Sequence, residues 1–213
     1  QNVEVKTDNY TQVIFENDKL GSIRLKKIDY VTRKPIANVK FKITKENGQV
    51  IGEFVTDKWG EINLINKLEP ATYLIEEMAV PTGYALDKGV RKVEIKIGSE
   101  VMVEWENYPL ASLQIIKTDE RTKKPISGVE FEILNANKES MGKVTTDKDG
   151  RIYLETKFAQ GTYYIKETKA KDGYVPNEGE KMVELKWGKT TKVEFVNTPI
   201  FGQIEIHKVG VEN

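Results

Sequence analysis

The sequence contains no cysteine and only one histidine, His207. Disulfide bonds and thiolate metal sites are therefore excluded, and so is a histidine-based catalytic triad in each half of the chain. Small β domains have modest hydrophobic cores, so a chain of this kind without disulfides needs some other means of stabilisation.

An excess of either charge is also missing. Lysine and arginine together number 33, as do aspartate and glutamate, which gives a formal net charge of zero. A nucleic-acid or membrane-surface partner requires a basic excess, so neither is expected. No apolar run is long enough to cross a membrane. Because the sequence shows no phosphate-binding loop and no metal-ligand cluster, we expect no cofactor, no metal and no enzymatic activity.

What the sequence does contain is an internal repeat with a constant offset of 90 residues. SIRLKKIDYVTRKPIANVKFKI (22–43) matches SLQIIKTDERTKKPISGVEFEI (112–133), and TDKWGEINL (56–64) matches TDKDGRIYL (146–154). TYLIEE (72–77) likewise matches TYYIKE (162–167). An ungapped register over this length indicates tandem copies of one domain.

Both chain ends continue the same repeat. VEVKTDNYTQVIFEN (3–17) corresponds to VEIKIGSEVMVEWEN (93–107), and GQIEIHK (202–208) corresponds to the opening strand of each copy. We therefore expect a longer tandem array as the parent protein. The expected divisions are the closing hairpin of a preceding repeat at 1–19, complete repeats at 20–109 and 110–200, and the opening strand of a following repeat at 201–213.

Each copy consists of short alternating segments separated by turn signals. VKFKI and VEFEI alternate strictly, and TDKWG and TDKDG are tight Asp–X–X–Gly turns. About seven such strands in 90 residues predict an all-β fold of tandem immunoglobulin-like antiparallel β-sandwiches. The last two strands of each copy are expected to form a hairpin through Gly98 or Gly188. Asp29 and Asp119 are expected to begin the next turn by accepting backbone hydrogen bonds.

Three strands of each copy end their apolar row with a polar residue. Side chains two residues apart in a strand share a face, and on that basis Lys27, Glu77 and Asn107 lie on the core side of the first copy. The corresponding residues of the second copy are Lys117, Glu167 and Asn197.

Two interpretations of this set are open. A buried lysine and glutamate can form an ion pair with the asparagine as hydrogen-bond partner. Alternatively, desolvation favours a neutral amine, which is a nucleophile, and a protonated carboxyl, which is an acid. The amine would then attack the carboxamide carbon, while the glutamate polarises the amide oxygen and passes a proton to the leaving ammonia. Trp105 and Phe195 would supply apolar surroundings.

The motifs, taken in order, resemble a known family. They are KID and KTD early in each copy, TYLIEEMAVPTGY and TYYIKETKAKDGY, and the closing VEWENYP and VEFVNTP. This set resembles the B-type domain of collagen adhesins, also called the SpaA-like or prealbumin-like domain of Gram-positive surface proteins and pilins. The resemblance covers both full repeats and both ends. It implies a prealbumin-like sandwich and spontaneous Lys–Asn isopeptide bonds formed with a Glu or Asp catalyst.

Carried over by position, the resemblance assigns a bond and a catalyst to each copy. The implied sets are Lys27–Asn107 with Glu77 and Lys117–Asn197 with Glu167.

Adjacent lysine and glutamate residues are alternative candidates for the same roles. Strand parity and the 90-residue alignment favour Lys27 over Lys26 and Glu77 over Glu76. Asn17 and Lys208 are equivalents of the bonded residues whose partners are missing from the sequence, and we expect both to remain unreacted.

The function that follows is structural. We expect stalk or spacer modules of an adhesin or pilus-like protein on the cell wall of a Gram-positive bacterium, with neighbouring repeats of the same chain as partners and a host matrix protein bound through another domain. The alternative is a ligand-binding adhesin module that recognises a host matrix protein through exposed aromatic residues such as Trp59 or Tyr30. Trp59 aligns with Asp149, so such a site would exist in one repeat only.

Overall fold

The computed structural model describes residues 19–202 and 204–207. These residues form fourteen β-strands, which confirms the predicted all-β class. Within this part of the chain there is no helix with the length and apolarity needed to span a membrane.

The chain divides into two compact units. Among the described residues, one comprises 19–81 together with 86–107, and the other comprises 82–85 together with the residues from 108 onward. The first unit contains β1 (Gly21–Asp29), β2 (Lys40–Lys45), β3 (Val50–Val55), β4 (Glu61–Leu68), β5 (Ala71–Ala79), β6 (Val90–Ile95) and β7 (Glu100–Asn107). The second contains β8 (Ala111–Asp119), β9 (Glu130–Leu134), β10 (Ser140–Thr145), β11 (Arg151–Phe158), β12 (Gly161–Lys169), β13 (Glu180–Leu185) and β14 (Thr190–Asn197).

Each unit is a sandwich of two sheets. In the first unit the strand orders are β4-β1-β7 and β3-β2-β5-β6, and in the second they are β11-β8-β14 and β10-β9-β12-β13. Strand pairs are antiparallel except that the first strand of each unit runs parallel to its last, β1 with β7 and β8 with β14. The chain therefore enters and leaves each sandwich on adjacent strands that run in the same direction.

The predicted hairpin between the last two strands is wrong. β6 pairs with β5 in the four-stranded sheet, whereas β7 pairs with β1 in the three-stranded sheet, and β13 and β14 are separated in the same way. Hydrophobic alternation reports which face of a strand is buried but not which strand is its neighbour. Two strands joined by a short turn give the same pattern whether they pair or cross between sheets.

Two predictions concern the chain ends. The hairpin predicted at 1–19 lies outside the described residues except for residue 19. Of the strand predicted at 201–213, residues 201, 202 and 204–207 are described, and none of these is in a strand. The first strand of a unit pairs with the fourth and the last, as β1 does with β4 and β7, and among the described residues this segment has no such strand beside it.

Alternating apolar rows from both sheets fill the space between them. On β1, Ile23 and Leu25 are buried while Arg24 and Lys26 are exposed, so one face of the strand points to the core. The core of the second unit is built in the same way, from Ala111, Leu113, Ile115, Ile126, Val129, Phe131, Ile133, Ile152, Phe158, Tyr163, Ile165, Val183, Leu185, Val193 and Phe195.

Aspartates fix the turns that follow the first strands. Oδ1 of Asp29 accepts hydrogen bonds from the backbone N–H groups of Val31 at 2.8 Å and Thr32 at 2.6 Å. Oδ1 of Asp119 does the same for residues 121 and 122. The predicted turn role of both aspartates is confirmed.

The glycine of each Asp–X–X–Gly turn lies directly against the first strand. Gly150 has φ = 66°, and a Cβ atom there would come within 2.4 Å of the Lys117 carbonyl oxygen. Its own carbonyl oxygen accepts a hydrogen bond from the Lys117 N–H at 2.7 Å. Gly60 makes the equivalent contacts with Lys27. Gly60 and Gly150 therefore fix the backbone position of Lys27 and Lys117, respectively.

Gly150→Ala is expected to destabilise the second unit much more than Gly128→Ala. Gly128 also has positive φ, 79°, but no atom lies within 4 Å of the Cβ position. Gly128→Ala should therefore cost about 1 kcal/mol, the strain of a left-handed backbone. Gly150→Ala must in addition relieve a clash with backbone and should cost about 2 kcal/mol more. Guanidinium denaturation of the two variants measures the difference, and equal costs would contradict this account.

Candidate functional site: a buried Lys–Glu–Asn cluster in each sandwich

Each cluster is assembled from both sheets of its sandwich. The parallel register of β1 and β7 places Lys27 beside Trp105, two residues before Asn107. Because residues two apart share a face, Lys27 and Asn107 lie on the same inner face of the three-stranded sheet. Glu77 comes from β5 of the facing four-stranded sheet. The cluster therefore lies between the two sheets.

In the first unit the Glu77 carboxylate contacts the side-chain nitrogens of both other members of the cluster. Lys27 is 0% exposed, Glu77 5% and Asn107 1%. Nζ of Lys27 lies 2.9 Å from Oε1 of Glu77, and Nδ2 of Asn107 donates to Oε2 of Glu77 at 2.9 Å. Glu77 thus bridges the lysine amine and the carboxamide nitrogen.

The second unit repeats this bridge and adds a contact. Nζ of Lys117 donates to Oε2 of Glu167 at 2.7 Å, and Nδ2 of Asn197 donates to Oε1 of Glu167 at 2.8 Å. Nζ of Lys117 also donates to Oδ1 of Asn197. The amine therefore touches both the carboxylate and the carboxamide.

The neighbouring candidates lie elsewhere. Lys26 is exposed, and Glu76 is half-buried on the opposite face of its strand from Glu77. Asn17 and Lys208, the predicted unreacted equivalents, lie outside the described residues.

Aromatic rings enclose the lysine amines. Nζ of Lys27 lies 5.5 Å from the Trp105 ring centroid and 5.9 Å from that of Phe41. The corresponding rings around Lys117, at 5.7 and 5.8 Å, belong to Phe195 and Phe131. Trp105 and Phe195 are the rings expected from the sequence, and Phe41 and Phe131 face them from the other sheet.

Burial dominates the electrostatics of both amines. Desolvation lowers the pKa of Lys27 from 10.5 to about 8, although the hydrogen bond and charge of Glu77 act to raise it. Desolvation also lowers the pKa of Lys117, against the opposing effect of Glu167. A larger share of each amine is therefore neutral, and hence nucleophilic, than in an exposed lysine at the same pH.

A cation outside each aromatic wall was missed by sequence reasoning. The Arg91 guanidinium lies 4.1 Å from the Trp105 ring centroid, and Nζ of Lys181 lies 4.8 Å from that of Phe195. Each positive charge acts to lower the pKa of the nearby buried lysine. The repeat could have revealed this cation, because Arg91 and Lys181 are basic residues 90 positions apart.

A loop residue that sequence reasoning also missed contacts the glutamate in each unit. The position is equivalent in the two copies, but the residue differs. In the first unit it is Asp87, whose backbone N–H donates to Oε2 of Glu77 at 2.8 Å. In the second it is Asn177, whose Nδ2 lies 3.4 Å from Oε2 of Glu167 and 2.9 Å from Oδ1 of Asn197. Neither position follows the strand alternation on which the sequence analysis relied, because both lie in a loop between strands.

Other groups considered from the sequence lie apart from the clusters. The Trp59 side chain is 60% exposed in the turn between β3 and β4, with Nζ of Lys58 4.1 Å from its ring centroid. Within residues 19–202 and 204–207, no three acidic or histidine side chains are placed to hold a metal ion.

Tandem β-sandwiches with a buried Lys–Glu–Asn set between their sheets define the structural class of this chain. The chain belongs to the SpaA family of prealbumin-like fold domains, whose model matches residues 21–109 and 111–199. The predicted family and fold are therefore confirmed.

The relatives are surface proteins of Gram-positive bacteria. A collagen adhesin of Staphylococcus aureus is 38% identical over 74 residues, which cover 32% of this chain and 6% of the adhesin. The serine-aspartate repeat-containing protein D of Staphylococcus aureus (strain Newman) is 27% identical over 175 residues, which cover 68% of this chain and 12% of the relative. The chain thus spans a small part of the curated relatives it matches.

A solved structure shows the same fold. The shaft pilin SpaA of Lactobacillus rhamnosus GG aligns with a TM-score of 0.50 at 17% identity, over 86% of this chain and 99% of the pilin. The matched family is one of prealbumin-like fold domains and the curated relatives are adhesin-type surface proteins, so the prediction that the chain is not an enzyme is confirmed. The same relatives support the predicted location at the cell-wall surface.

The pKa of Lys27 has a testable effect on stability in the Asn107→Ala variant, where the amine has no carboxamide to attack. The folded-state value of about 8 lies below the unfolded value of 10.5, so the unfolded chain binds more protons between these two values. The free energy of unfolding should therefore rise with pH across this window, by about 2 kcal/mol between pH 7 and pH 10.

The control is Lys27→Met in the same Asn107→Ala background, which should lack this rise. Carbon-13 NMR of the lysine side chains provides a direct check. One Cε resonance, absent after Lys27→Met, should titrate near pH 8. A midpoint near 10.5 for that resonance would contradict the desolvated site.

Proposed function

We propose that these repeats are stalk modules of a cell-surface adhesin or pilus-like protein, and that each is closed by an autocatalytic amide bond between its first and last strands. The bonds join Lys27 to Asn107 and Lys117 to Asn197. The observation that carries the proposal is the bridging carboxylate, which contacts the nitrogen that would attack and the nitrogen that would leave.

The reaction balances without any outside reagent. The neutral amine of Lys117 attacks Cγ of Asn197, and the Cγ–Nδ2 bond breaks to release ammonia. Glu167 takes a proton from the attacking nitrogen and delivers it to the leaving nitrogen, so the carboxylate ends as it began. Its two oxygens are already 2.7 and 2.8 Å from these two nitrogens. Glu77 is placed to do the same in the first unit.

The glutamate contact differs from the sequence expectation in one respect. The sequence predicts that the glutamate polarises the amide oxygen, whereas both carboxylates contact the amide nitrogen. This placement favours proton transfer to the leaving group, which is a poor leaving group unless it is protonated.

The bond would also replace the disulfides that the sequence lacks. It closes a loop of 79 intervening residues in the first unit. By analogy with a disulfide, such closure constrains the unfolded chain by about 4 kcal/mol.

Because of the strand topology, the bond would affect resistance to pulling more than it affects the free energy of unfolding. When the chain is pulled from its ends, force enters β1 at Gly21 and leaves β7 beyond Asn107. A bond from Lys27 to Asn107 would pass that force directly between the two parallel strands. The residues between them would carry no load, which suits a spacer that holds another domain away from the cell wall.

Intact mass tests the proposal. Both bonds together predict a purified chain lighter than its sequence mass by two ammonia molecules. Glu77→Ala should restore one and Glu167→Ala the other, because each removes the proton carrier of one site. Glu76→Ala and Asn17→Ala are the matched controls and should leave the deficit unchanged. A mass equal to the sequence mass would refute the bonds.

Single-molecule pulling tests the stalk role. In the unaltered chain, neither sandwich should unfold under the pulling force. Asn107→Ala keeps the Lys27–Glu77 ion pair but removes the bond, so one additional extension of about 270 Å should appear as the 79 intervening residues unravel. Asn63→Ala, at an exposed asparagine of β4, should behave like the unaltered chain. Release of that length from the unaltered chain would argue against load bearing.

The partners that fit this function are neighbouring repeats of the same chain and, through another domain, a host matrix protein. The ligand-binding alternative rests on Trp59, whose ring is exposed but has no aromatic equivalent in the second repeat. Collagen or fibrinogen binding that is lost on Trp59→Ala would support that alternative.

A further inference from the structure

We propose that Asn177 is a catalytic residue of the second site, and that it donates a hydrogen bond to the oxygen that becomes negatively charged when the Lys117–Asn197 bond forms. This inference rests on the proposed function. It adds a fourth residue to the reacting set, and that residue acts on the amide oxygen.

The geometry fixes the orientation of the Asn177 carboxamide. Its Nδ2 lies 2.6 Å from the carbonyl oxygen of Val196 and 2.9 Å from Oδ1 of Asn197. A carbonyl oxygen can only accept, so the Val196 contact requires the NH2 group, and not the oxygen, to face the site. One of its hydrogens serves Val196, and the other faces Oδ1 of Asn197 at 2.9 Å, with Oε2 of Glu167 farther away at 3.4 Å.

The chemistry requires a donor at this point. Attack of the Lys117 amine on Cγ of Asn197 turns the amide oxygen Oδ1 into an oxyanion. Both oxygens of Glu167 are occupied by the attacking and leaving nitrogens, at 2.7 and 2.8 Å. The contact from Lys117 to Oδ1 is made by the nitrogen that must itself become the nucleophile. Asn177 is a donor that does not change its bonding during the reaction, as oxyanion stabilisation requires.

The first site carries different chemistry at the equivalent position. Asp87 accepts a hydrogen bond from Nε1 of Trp105 at 2.8 Å, and its carboxylate has no hydrogen to donate. The two positions are 90 residues apart, and the first copy has Asp87 where the second has Asn177. The proposed donor is therefore a property of the second repeat.

A purely structural role for Asn177 is the competing explanation. The bond to Val196 ties the loop before β13 to β14, and that tie alone would account for one of the hydrogens. It does not account for the second hydrogen, which points at a reacting atom. The two explanations differ in what is lost on substitution: folding in one case, and the rate of bond formation in the other.

The test follows bond formation in a Glu77→Ala background, where only the second site changes the mass. The chain is made by cell-free synthesis and quenched at intervals in acid, and the fraction that has lost one ammonia is measured by mass spectrometry. Asn177→Ala and the nearly isosteric Asn177→Asp should each slow this loss about tenfold or more. Glu178→Ala, at the exposed neighbouring residue, should leave the rate unchanged.

The outcomes separate the two proposals. If the Glu77→Ala chain with Asn177 intact never loses ammonia, the proposed function fails. If it loses ammonia and both Asn177 variants react at the same rate, the role of Asn177 fails while the proposed function stands. Folding is measured with Asn177→Ala and Asn177→Asp added to a Glu77→Ala/Glu167→Ala background, where no bond forms. The donor role is supported if an Asn177 variant reacts slowly while its unfolding midpoint is unchanged. It is overturned if only variants with a lowered midpoint react slowly.

Discussion

The buried carboxylate that bridges two nitrogens is the interaction on which the rest of each sandwich depends. An isolated glutamate or lysine between two sheets would be costly to desolvate, so the charges must be paired and hydrogen-bonded. Glu77 meets this requirement only if β5 faces Lys27 and Asn107 at hydrogen-bonding distance. The same cluster therefore fixes the position of one sheet against the other, and removal of one member leaves an uncompensated buried group.

The parallel pairing of the first and last strands brings the lysine and the asparagine of each cluster onto adjacent strands. Because β1 and β7 run in the same direction as neighbours, the lysine of one and the asparagine of the other share an inner face near the ends of their strands. Gly60 holds the β1 backbone from the other side, where no side chain would fit. A bond at this point would join the two strands through which the chain enters and leaves the fold.

Alternation in the sequence was enough to find the lysine, glutamate and asparagine of each cluster, because burial on one face of a strand follows a period of two. It could not show that β6 and β7 lie in different sheets, since both choices bury the same rows. It also could not find Asp87 or Asn177, because loop residues carry no such period. The repeat supplied information that alternation lacked: Lys26 and Lys27 are adjacent in the sequence, but only Lys27 has a lysine 90 residues later.

The most direct test of the central claim is tandem mass spectrometry of a protease digest of the denatured chain. The account predicts a branched peptide in which the segment containing Lys27 is joined to the segment containing Asn107 through an amide, and a second one that joins Lys117 to Asn197. The recovery of all four residues in linear, unmodified peptides would contradict it, and would leave the buried cluster as an ion pair with a hydrogen-bonded asparagine.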